Sequence, residues 1–114
     1  MNPLIQKLND FGCDTAGAIN RLLDSEETYL TFLEKYKGTF HVNELGELLQ
    51  QKKYQEAFDC VHNIKGAAGN LGITPLYSAA SDLTEKLRAN DYADLDSIYA
   101  KLKTAYQDFL FIVG

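Results

Sequence analysis

The chain has 114 residues, 46% of them hydrophobic and 24% charged. That suits one globular domain over residues 1–114 with a single core, and it is far from the composition of a disordered segment. A net charge of −5 with scattered Lys and Arg excludes the concentrated basic patch needed to grip nucleic acid or an anionic membrane surface. Met1 to Asp10 lacks the apolar stretch of a secretory signal and Phe109 to Val113 is too short to span a bilayer, so a cytoplasmic location is expected.

Helical periodicity runs through most of the chain. Asp14 is a good N-cap for a first helix that buries Ala18, Ile19, Leu22 and Leu23. A second helix begins near Ser25, has Glu26 and Glu27 in its first turn, carries Leu30, Phe32, Leu33 and Tyr36, and ends at Lys37-Gly38. Asn43 can cap a shorter third helix with Leu45, Leu48 and Leu49 on one side. The fourth runs from about Tyr54 to Asn70 with Ala57, Val61, Ile64, Ala68 and Leu71 as its stripe, and Gly72 closes it. Thr74 as N-cap followed by Pro75 opens a fifth with Leu76, Ala79, Ala80, Leu83 and Leu87, broken at Asn90-Asp91. The last helix repeats Leu95, Ile98, Tyr99, Leu102, Tyr106, Phe109 and Val113. Short connections between such helices favour antiparallel neighbours. The expected fold is all-α, an up-and-down four-helix bundle with one or two additional short N-terminal helices across it or at one end.

The fourth helix carries features that a purely structural helix would not. His62 falls well off its buried stripe, toward solvent, with Lys65 one turn further along on the same side. Gly66 and Gly69 lie beside His62 in the next two turns, and Phe58 and Asp59 flank it one turn before. Each glycine inside a helix costs about 1 kcal/mol relative to alanine. Water gains nothing from that cost, whereas a large molecule that must approach the backbone does. Neutral imidazole is nucleophilic near neutral pH, and an ammonium one turn away can meet phosphoryl oxygens. Phosphoryl transfer depends mainly on positioning and charge neutralisation, so the carrier needs few groups of its own.

The run His62-Asn63-Ile64-Lys65-Gly66-Ala67-Ala68-Gly69-Asn70-Leu71-Gly72 resembles the signature of histidine-containing phosphotransfer (HPt) domains of multistep two-component signalling. That signature is His-x-x-Lys-Gly followed by small residues and an apolar-Gly pair. The stretch Leu76 to Leu87 looks like the family's next helix, and Gly12-Cys13-Asp14 through Leu33 like its opening ones. The resemblance implies a phosphorelay intermediate. His62 would accept a phosphoryl group from a receiver-domain aspartate, or from a histidine kinase, and pass it to another receiver aspartate. Lys65 would steady the phosphoryl oxygens and Gly66 would give steric access. Phe58, Asp59 and Gly69 are the candidate partner-binding residues. The expected partners are receiver domains of response regulators or hybrid kinases, with the chain itself a monomer. No cofactor is expected on this chain, and the Mg2+ belongs to the receiver.

Other residues read more plainly. His41, in Thr39-Phe40-His41-Val42, is a loop residue, and the two cysteines, Cys13 and Cys60, are reduced, half-buried filler. No zinc spacing surrounds His62. Lys86 and Arg88 lie on the fifth helix, where they would add positive potential only if it packs beside the fourth. The glycines of 66–72 lie within a helix and lack a following Lys-Ser or Lys-Thr, so no nucleotide-binding loop is present. The chain is thus expected to be a phosphocarrier and not an autonomous enzyme. The competing reading is a helical adaptor that docks signalling partners without using His62 chemically. A third is the phosphoacceptor domain of a chemotaxis-type kinase.

Overall fold

The computed structural model describes residues 2–114, and they form seven α-helices. They are α1 (Pro3–Phe11), α2 (Thr15–Arg21), α3 (Glu26–Tyr36), α4 (Val42–Gln50), α5 (Tyr54–Asn70), α6 (Thr74–Arg88) and α7 (Leu95–Val113). The short connections 51–53, 71–73 and 89–94 turn α4 to α7 back on one another as an up-and-down bundle. Within it α5 packs most extensively on α6, α6 on α7, and α4 rests against both α5 and α7. Leu45, Val61, Leu76, Leu83, Leu102 and Phe109 fill the space between them. No helix among the described residues is long and apolar enough to cross a membrane.

Three N-terminal helices accompany the bundle where one or two were expected, because α1 was not foreseen. Its start is nevertheless written in the sequence. The Asn2 side chain accepts a hydrogen bond from the Leu4 N–H at 2.8 Å and Pro3 stands in the first turn. Gly12, at φ 105°, ends it. The α1 helix packs against α7 and α2, and α2 against α3.

Four other expectations need correcting. Leu23 is 89% exposed, because the chain leaves α2 through a turn in which Leu23 and Asp24 both take positive φ. Tyr36 is half-exposed, whereas Tyr29, one residue before Leu30, is fully buried. The α4 helix starts at Val42, two residues earlier than an Asn43 cap would give, with His41 in the left-handed conformation at the N-cap position. Likewise Ile73, not Thr74, is the N-cap of α6, and the Thr74 hydroxyl points back to the Gly72 carbonyl.

The N-terminal helices bind the bundle at the C-terminal end of α5. Arg21 donates from Nη2 to the carbonyls of Gly69 (2.7 Å) and Asn70 (3.2 Å), a cation on exposed helix-end carbonyls. The Tyr29 hydroxyl donates to the Leu71 carbonyl at 2.9 Å, and the Asp14 N–H to the Gly72 carbonyl at 2.8 Å. This end of the helix is held from outside at both ends of α2 and from α3.

Cys13 and Tyr29 lie in that junction. Burial pushes the Cys13 thiol up to about 11 from its ordinary 9.0, against a weaker opposing effect of the Thr74 backbone. Burial, followed by nearby negative charge at Cys13 and Asp14, also raises the Tyr29 phenol. Both groups therefore favour the folded state while neutral. That contribution is complete below the unfolded thiol value of 9.0 and drains away as pH rises through the folded value near 11. Urea midpoints measured from pH 8 upward should fall across this window, and Cys13→Ala should make the fall shallower. A slope unchanged by Cys13→Ala would show that the junction does not carry it.

Candidate functional site

His62 stands exposed near the middle of α5, and the 3.6-residue repeat arranges its neighbours on two flanks. Phe58, Lys65 and Gly69 lie on the flank toward α6, while Asp59 and Gly66 lie on the flank toward α4. The surfaces beneath are different. The Phe58 ring stacks on the His62 imidazole, with centroids 5.9 Å apart and planes inclined by 25°. The guanidinium of Arg88, from the end of α6, lies 5.6 Å from the centre of the Phe58 ring, and Arg88 is itself paired with Glu85.

Lys65 is half-buried, and its Nζ sits 5.8 Å from the centre of the Tyr77 ring of α6. Lys86 is engaged elsewhere, paired with Asp91 at 2.8 Å. Asp59 turns away from the imidazole. It accepts a hydrogen bond from the Gln55 amide at 3.3 Å and lines a groove on the α4 side with Glu44, Cys60 and Asn63. No hydrogen bond joins Asp59 to His62 among the described residues.

The two helical glycines turn out to differ. A Cβ built on Gly66 would meet nothing within 4 Å. No part of the chain needs a glycine there, and the backbone beside His62 lies open. A Cβ on Gly69 would stand 3.2 Å from two carbons of the Tyr77 ring, so that glycine has an internal packing reason. The bare surface next to His62 is therefore Gly66 alone, with Gly69 roofed by Tyr77. Tyr77 is the site neighbour that sequence reasoning missed, because nothing in its own segment places it over α5.

Both cysteines are free, and burial raises the Cys60 thiol, with Glu44 adding to the effect. Among the described residues no group of three His, Cys, Asp or Glu side chains gathers as a metal site requires.

Residues 27–110 match the family model described as Hpt domain. The chain belongs to the Hpt family. The match covers α4 to α7 nearly entire and almost all of α3, with α1 and α2 lying ahead of it. Hpt domains are helical bundles, and the family points to phosphotransfer in two-component signalling, with receivers and kinases as the partners of its members. Comparison with curated proteins and with solved structures returns no match.

Proposed function

We propose that this Hpt domain, residues 1–114 acting as one unit, is a phosphorelay intermediate whose phosphoacceptor is His62. The outward ring nitrogen attacks the phosphorus of a receiver's aspartyl phosphate. An N–P bond forms as the P–O bond breaks, and its electron pair leaves with the receiver carboxylate. Attack by a second receiver's aspartate reverses these steps and returns the imidazole. Lys65 neutralises the phosphoryl oxygens, and the receiver brings the metal ion. Phe58 belongs to the surface that meets the receiver, and Asp59 lies at its edge. The working form is a cytoplasmic monomer.

One observation carries this reading: beside an exposed imidazole, the backbone at Gly66 has open space where any other residue would place a side chain. An adaptor that ignores His62 has no use for that combination. The test is incubation with receiver domains phosphorylated on aspartate. Acid-labile, base-stable label should appear on the intact protein and be missing from His62→Gln. An intact protein that takes no label from any receiver or histidine kinase would leave the adaptor reading in possession.

A further inference from the structure

Each of the two groups proposed for the chemistry rests on an aromatic ring, one supplied by α6 and the other, on α5, covered by a side chain of α6. Tyr77 belongs to α6 and lies beside Lys65, with Nζ 5.8 Å from its centre. Phe58 belongs to α5 and stacks on His62, while Arg88 of α6 covers it and is kept in place by Glu85. Tyr77 and Arg88 are about three turns apart on α6, so one helix braces the site at both ends. Gly69 fits the same scheme, since a Cβ there would stand 3.2 Å from the Tyr77 ring and oblige it to shift by a few tenths of an ångström.

We propose that Tyr77 and Phe58 are positioning residues, Tyr77 holding the Lys65 ammonium and Phe58 the His62 imidazole where one phosphoryl group meets both. This rests on the carrier reading above. A lysine on an exposed helix face samples many rotamers, and a ring under its ammonium narrows them. An imidazole in open water turns freely about its side-chain bonds, and a ring stacked at 25° opposes that rotation. Tyr77 is 39% exposed, poor cover for a core but suitable for a seat at the surface.

The experiment uses the full chain with two donors, phosphoramidate, which needs no docking, and a phosphorylated receiver that labels the wild type. Tyr77→Leu should slow labelling at saturating donor by about two- to fivefold, the worth of an exposed cation–π contact. Tyr77→Phe should restore the rate, and in a Lys65→Ala background Tyr77→Leu should change nothing. Phe58→Leu should move the His62 ring-proton resonances and slow labelling by phosphoramidate, which does not touch the docking surface. Equal slowing by Tyr77→Leu with and without Lys65, or none at all, overturns the proposal. If the wild type accepts no phosphoryl group, the carrier reading fails separately, and the NMR spectrum still decides the placement. Lys65 ε-protons shifted upfield in the wild type and restored in Tyr77→Leu support it, and unshifted ones overturn it.

Discussion

Replacing Gly66 with leucine is expected to make the protein more stable and to stop phosphotransfer from a receiver. The two effects have separate causes. Glycine within α5 costs about 0.5–1 kcal/mol relative to a good helix former, and a Cβ at position 66 meets no atom within 4 Å. Urea unfolding should therefore show a gain of about that size. Transfer should fall by a factor of at least about 100, because a displacement of even 1 Å at the reacting centre is enough for such a loss. Gly66→Ala should gain as much stability and lose less transfer, its methyl group reaching less far. Phosphoramidate, being small, should label Gly66→Leu better than any receiver does, which separates obstruction of a macromolecule from damage to His62. Receiver transfer at wild-type speed in Gly66→Leu would mean that the glycine does not serve the partner's approach. A drop in stability would mean that the open space is filled by the chain itself.

The same pair of glycines shows how far residues alone can be read. A helix from Tyr54 to Asn70 with His62 off its stripe follows from the spacing of Ala57, Val61, Ile64 and Ala68, and the structure has those bounds. The four bundle helices and their antiparallel order follow from the same periodicity and the short connections. The different duties of Gly66 and Gly69 do not follow, because they depend on where α6 crosses α5. Only that crossing brings Tyr77 over Gly69 and Lys65 and leaves Gly66 bare. Leu23 looked like core because it continues the run from Ala18, yet two successive positive φ values turn it outward, and no local pattern announces them. His41 takes the left-handed conformation at the start of α4 without a side-chain cap, so Asn43 looked the better signal. By contrast α1 was missed although its signals are local. Asn2, Pro3 and the spacing Leu4, Ile5, Leu8 state a short helix, but two and a half turns make a weak periodic signal beside the longer ones.

Gly72→Ala is expected to be the most damaging single-methyl change in the protein. Gly72 has φ 70°, which costs a residue with a Cβ about 1–2 kcal/mol. Its added Cβ would also lie 2.3 Å from the Asp14 carbonyl oxygen and 3.1 Å from the Ala18 Cβ. The first neighbour is backbone and cannot swing aside, and it is held where it is because the Asp14 N–H donates to the Gly72 carbonyl. Relief requires α2 to move off the end of α5, which weakens the Arg21 contacts to Gly69 and Asn70 and the Tyr29 contact to Leu71. Overpacking of this kind adds about 1–3 kcal/mol, so the total comes to about 2–5 kcal/mol and a fall on the order of 10–20 °C in Tm. Gly38→Ala is the control, since a Cβ there meets nothing within 4 Å and the residue has no positive φ, and it should melt with the wild type. A Gly72→Ala protein melting within about 2 °C of wild type would show that the junction yields easily. In that case the C-terminal end of α5, and with it the placement of Lys65 and Tyr77, would owe little to α1–α3.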